Sequence, residues 1–116
     1  MIESWMTQLR KGLLEYCVLL VLRRGESYGY EIVQALKQIE DLSVSESTVY
    51  PILGRLRDER YLKARDVPSA AGPPRRYFSL TPAGKVRLSE MNAYWSVLVE
   101  ALSQLKSANP KDNKKR

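Results

Sequence analysis

The sequence predicts a mainly α domain that carries a two-stranded β hairpin and ends in a long helix. Three observations lead there. Apolar residues recur at helical spacing through the first half of the chain, the period drops to two between Tyr61 and Leu80, and heptad spacing runs from Leu88 to Leu105. The 116 residues, 44% of them apolar, suffice for one domain with its own core. Cys17 is the single cysteine, so no internal disulfide can form, and its apolar neighbours mark it as a core thiol. Histidine is absent. That removes the common zinc sites and the Ser-His-Asp hydrolases, and no other nucleophile, base and orienting group converge. Neither an enzyme nor a cofactor is expected.

Leu9, Leu13, Tyr16 and Leu20, thickened by Val18, Leu19, Val21 and Leu22, predict a first helix over residues 4–24. Its apolar run from Leu13 to Leu22 is broken by Glu15, too short for a bilayer span and too far along the chain for a secretory signal. A buried helix of a cytoplasmic protein, with no membrane partner, is expected. Gly25 ends it, and Arg23 and Arg24 put positive charge at its carbonyl end. A second helix, Tyr28 to Ile39, opens on Ser27 as a cap, turns Ile32, Ala35, Leu36 and Ile39 inward, and closes at Glu40-Asp41. A third begins at Ser45, whose hydroxyl is suited to capping free amides, with Glu46 at the positive end of the dipole and Val49, Ile52, Leu53 and Leu56 as its buried stripe. Pro51 lies inside that pattern, where it removes the amide that would bond the Ser47 carbonyl. It marks either function or a tolerated kink near a helix start.

From Tyr61 onward, Leu62 and Ala64 alternate with Lys63 and Arg65, and later Phe78 and Leu80 alternate with Tyr77 and Ser79. These are the two strands of a hairpin. Residues 68–74 hold too many prolines for a ladder and are expected as an exposed tip flanked by Arg75 and Arg76. The last helix starts on Thr81 as cap and Pro82 at its first position. Leu88, Met91, Trp95, Leu98, Leu102 and Leu105 form a heptad seam along it, widened by Tyr94, Val97 and Ala101, so it needs a helical partner. Residues 109–116 have nothing apolar to anchor them and are expected to be a disordered basic tail. The chain thus divides into 1–80, 81–108 and 109–116.

Three helices followed by a hairpin, with a short turn between the second and third, make a winged helix-turn-helix, here extended by a long C-terminal dimerisation helix. Such a unit lays its third helix in the major groove of DNA. The net charge is +6, and residues 43–80 contribute seven basic against four acidic side chains. Ser45, Ser47, Thr48 and Tyr50 are hydroxyl-bearing groups near the third helix's start that can meet phosphates and base edges. Arg55 further along is expected to reach a phosphate, Tyr28 joins the set from the second helix, and Arg75 and Arg76 suit the minor groove or the backbone. Taken singly, the hydroxyls would be caps and the arginines ordinary edge charges; the combination favours double-stranded DNA.

Tyr28-Gly29-Tyr30-Glu31-Ile32, then Ser47-Thr48-Val49-Tyr50-Pro51-Ile52-Leu53-Gly54-Arg55-Leu56, then Gly72-Pro73-Pro74-Arg75-Arg76-Tyr77-Phe78-Ser79-Leu80-Thr81-Pro82-Ala83-Gly84 together resemble the PadR family, over nearly the whole chain from Leu9 to the final helix. The short form with one C-terminal helix is similar to its smaller subfamily. The resemblance implies a bacterial transcriptional regulator, usually a repressor, that binds an inverted-repeat operator as a homodimer built from its first and last helices. This sequence departs from the family's pattern at Arg57 and Arg60, where Glu and Gly are usual, so the third helix either runs longer or is ended by Arg60 in another way, and both arginines add positive charge near the DNA side. Drug-responsive relatives carry a Trp near the place of Trp95, where paired indoles sandwich flat aromatic ligands. The resemblance therefore admits a planar aromatic effector at Trp95, walled by Trp5 and Leu9 of the partner, although heptad spacing equally makes Trp95 plain packing. The rival from another class is a helical adaptor whose seam binds a different protein without specific DNA binding.

Overall fold

Apolar side chains from every helix and from both long strands meet in one core. In the computed structural model, which describes residues 2–39, 42 and 44–107, the elements run α1 (Ile2–Arg23), β1 (Ser27–Tyr28), α2 (Gly29–Lys37), α3 (Glu46–Asp58), β2 (Leu62–Ser69), β3 (Gly72–Leu80) and α4 (Pro82–Ser107). The expected helix end at Glu40-Asp41 and the basic tail 109–116 lie outside the described residues. Val18, Leu22, Ile32, Leu36, Val49, Leu53, Leu56, Leu62, Phe78 and Leu88 are all buried together, Cys17 among them. Burial pushes the Cys17 thiol pKa up, which keeps it an inert neutral group. Among the described residues no helix is long and apolar enough to cross a membrane.

Several expectations are corrected. Ser27 does not cap the second helix: with Tyr28 it forms a short third strand, pairing Ser27 with Phe78 and Tyr28 with Tyr77 in a sheet of order β1-β3-β2. Two residues carry no period, so the sequence offers no signal for it. The cap position falls to Tyr28, whose amide donates to Glu31 Oε1 at 3.1 Å. Ile39, expected to face inward, lies beyond the end of α2 and is 50% exposed. Ser45 is the cap residue of α3, yet its hydroxyl makes no capping bond; it lies 2.8 Å from Ser47 Oγ and 3.2 Å from Thr48 Oγ1 instead. α3 runs continuously through Pro51.

The hairpin is longer than its alternating pattern. Pro68, Pro73 and Pro74 stand inside the strands, and only Ala70 and Ala71 remain between them. Proline is tolerated where no ladder amide is needed. Pro68 lies on an edge strand at the register shift between Val67 and Ser69, and β3 has a neighbour on its other side only at Tyr77 and Phe78, well past its own prolines. The register pairs Leu62 with Leu80 and Ala64 with Phe78, which puts the apolar members of both strands on the core face.

The end of α3 answers the missing glycine. Arg60 adopts φ 68°, the left-handed conformation glycine favours; its amide donates to the Arg57 carbonyl, and the Tyr61 amide donates to the Leu56 carbonyl, each at 2.9 Å. This is a Schellman closure with arginine in the strained position. The chain then turns straight into the base of the wing, and α4 starts beside it. Thr81 donates its amide to the Tyr61 carbonyl at 3.1 Å and its hydroxyl to the Arg60 carbonyl at 2.7 Å, while the Gly84 amide donates to Thr81 Oγ1 at 3.0 Å. A left-handed arginine costs about 1 kcal/mol relative to glycine. Arg60→Gly should therefore raise stability by about that amount, seen as a higher urea midpoint at unchanged slope; an unchanged or lower midpoint would contradict the strain.

Candidate nucleic-acid interface

Residues spaced three and four apart on α3 share a face, and Ser47, Tyr50, Gly54 and Arg57 keep that spacing. Tyr50 and Arg57 are exposed at least in part, while Val49, Leu53 and Leu56 hold the opposite face in the core. The Tyr50 ring lies flush on the first residue of α2: a Cβ built on Gly29 would come within 2.1 Å of a Tyr50 ring carbon. Only glycine permits that approach. The Tyr50 hydroxyl donates to Glu46 Oε1 at 3.0 Å, and partial burial together with that carboxylate raises its pKa.

The wing rises opposite. A groove of about 750 Å³ runs between α3 and the hairpin, lined by Tyr28, Gly29, Tyr50, Arg57, Arg75 and Arg76 among others. The Arg75 guanidinium sits 4.7 Å above the centre of the Tyr28 ring, and Tyr28 in turn meets Tyr77 edge-on at 5.3 Å. Arg76 is tied differently: its Nε donates to Asp66 Oδ1 across the hairpin at 3.0 Å, which holds the Asp66 carboxyl below its usual range. Near the base, Arg65 makes a two-pronged bond to Glu26 at 2.6 and 2.7 Å, with the same effect on the Glu26 carboxyl.

The eight sequence-derived residues do not all gather here. Tyr28, Tyr50, Arg75 and Arg76 share the groove, and Ser45, Ser47 and Thr48 cluster at the start of α3. Arg55 turns away. Its guanidinium bridges Glu15 Oε1 on α1 at 3.1 Å and Glu59 at 3.2 Å, while Arg87 of α4 takes the other Glu15 oxygen at 3.1 Å and stacks on the Tyr61 ring. One carboxylate, only 15% exposed, thereby joins three helices. The groove arginine of α3 is Arg57, and its spacing from Ser47, Tyr50 and Gly54 was the available signal.

The helix seam also divides. Leu88 is buried in the chain's own core, and Met91, partly buried, packs against that core. Trp95 is 38% exposed with its ring 6.2 Å from Tyr16, Leu98 is half-buried, and Leu102 and Leu105 are 53% and 73% exposed. Trp5 and Leu9 are exposed on α1.

Residues 18–90 match the model of the transcriptional regulator PadR-like family. The chain belongs to the PadR family. A PadR-like transcription factor from Bacteroides fragilis is 40% identical, with a TM-score of 0.76 over 88% of this chain and 98% of that one. The Bacillus subtilis negative transcriptional regulator PadR is 33% identical over 66% of this chain. A structure of that regulator in complex with operator DNA matches with a TM-score of 0.64 and 31% identity over 68% of this chain. The chain spans less than half of the Bacillus subtilis protein, 43% of it in the sequence match and 46% in the structural one. Membership of the PadR family makes this chain a DNA-binding transcriptional regulator with a winged-helix fold, and PadR proteins are regulators, not enzymes.

Proposed function

We propose that this cytoplasmic PadR-family chain acts as a repressor, gripping an inverted-repeat operator as a homodimer. α3 enters the major groove, presenting Ser45, Ser47, Thr48, Tyr50 and Arg57, while Arg75 and Arg76 follow the phosphates or the minor groove beside it. The observation that carries this is the groove between α3 and the wing, whose cationic lining includes Arg57 and Arg75. The Bacillus subtilis relative, whose solved structure holds operator DNA, supports it by similarity.

The dimer reading rests on α4. Leu102 and Leu105 at 53% and 73% exposure leave an apolar stripe in water unless a second helix covers it, and Leu98 sits in the middle of that stripe. A two-fold dimer matches an inverted repeat when its two α3 helices lie about 34–36 Å apart. Trp95, 38% exposed beside Tyr16 where α4 leaves the core, supports a flat aromatic effector that stacks there, with Trp5 and Leu9 of the second copy as walls. Such a compound shifts the dimer from its DNA-competent form by no more than its difference in affinity for the two forms.

Fluorescence anisotropy on operator duplex at two salt concentrations tests the whole. Affinity should fall with salt, and Arg75→Ala should weaken binding about tenfold and lower the salt slope by about one. Tyr50→Ala should weaken binding with the dimer intact. Leu98→Asp should give monomers in the ultracentrifuge and lose most of the affinity, because a charge in an apolar seam has no partner. Salt-independent binding, or unchanged affinity in all three variants, would favour a helical adaptor instead. A flat aromatic cation should quench tryptophan emission in the wild type and much less in Trp95→Ala; equal quenching in both would remove Trp95 as the platform.

A further inference from the structure

Tyr50 carries the groove's most constrained hydroxyl. Glu46 opens α3 and Tyr50 lies one turn on, so the two side chains share a face. An ionised carboxylate only accepts hydrogen bonds; in the 3.0 Å contact the tyrosine must be the donor, and it has a single proton to give. What the phenol oxygen still offers outward is lone pairs. The ring cannot swing freely to change this, because Gly29 lies directly against it. Beside that oxygen stands a carboxylate with its own unused lone pairs.

A phosphate has only acceptor oxygens and a negative charge, so this pair repels it. In the major groove the donors on base edges are the exocyclic amino groups, N6 of adenine and N4 of cytosine; guanine O6 and N7 and thymine O4 are acceptors. We infer that Glu46 and Tyr50 form an acceptor pair that selects adenine or cytosine, on the strand it faces, at one position of each operator half-site. This deepens the proposed function and rests on α3 entering the major groove. Glu46 is here a positioning residue: it orients the phenol proton away from the base. In Glu46→Gln the amide can donate to the phenol oxygen, which frees the tyrosine proton to meet guanine or thymine. Tyr50→Phe removes the phenol lone pairs and keeps the ring on Gly29.

Selection from randomised duplexes, followed by sequencing, reads the result for wild type, Glu46→Gln and Tyr50→Phe. Wild type should prefer adenine or cytosine about tenfold at one position per half-site. Both variants should flatten that position and leave the rest of the motif unchanged, with Glu46→Gln gaining guanine or thymine there. The same base preferences in wild type and both variants would overturn the inference while leaving the regulator intact, as would a flattened position that held guanine or thymine in the wild type. A wild type that selects no sequence at all would overturn both the inference and the function it rests on.

Discussion

The structure depends on one junction, where the third helix ends, the wing begins and the last helix starts within a few ångströms. Arg60 turns the chain through a left-handed conformation, the Tyr61 carbonyl receives the Thr81 amide, and the Thr81 side chain bonds on one side to the Arg60 carbonyl and on the other to the Gly84 amide. No side chain fits between these segments, since a Cβ on Gly84 would lie 2.0 Å from the Tyr61 oxygen. Backbone bonds of this kind leave little room for the wing to pivot on α3, or for α4 to pivot on the wing. The angle between α3 and the wing is thereby set, as is the direction in which α4 carries its apolar stripe away from the core.

Charge is distributed on top of that frame. Among the described residues Glu15 holds Arg55 and Arg87, Glu26 holds Arg65, and Asp66 holds Arg76. Because Glu26 and Asp66 have lowered carboxyl pKa values, their pairs are intact above the ordinary carboxylate range and are lost only as pH falls through the lowered values. They persist at neutral pH, and both are exposed, so they steer side chains more than they stabilise the fold. The positive potential offered to a polyanion is left to residues such as Arg75, which leans on an aromatic ring instead of an acid, and Arg57, whose contact with Asp58 is long at 3.4 Å.

The order and type of the long elements were legible because each has one strong period, and in α2, α3 and the hairpin the apolar side of that period is the side that is buried. Thr81 and Pro82 announced α4 correctly because a cap and a first-turn proline are local signals. What escaped the sequence was set by tertiary contact. The two-residue β1 exists only because β3 lies beside it, and the prolines of the wing are tolerated because of where the sheet has edges. Of the residues expected to contact DNA, Tyr28, Tyr50, Arg75 and Arg76 line one groove, and Ser45, Ser47 and Thr48 gather at the start of α3. Arg55 pairs with Glu15, forty residues away in sequence, and nothing local distinguishes an arginine facing DNA from one facing an acid on a neighbouring helix. Leu88 kept perfect heptad spacing and is nevertheless part of the chain's own core, since periodicity tells which side is apolar and not what covers it.

The central claim is geometric: two copies joined along their last helices present paired α3-and-wing heads to one duplex. Hydroxyl-radical footprinting of full-length protein on DNA upstream of its own gene, with both strands labelled, measures this directly. The account predicts two equivalent protected half-sites related by a two-fold axis, with centres about one helical turn apart. A single asymmetric patch, or uniform protection without half-sites, would contradict it.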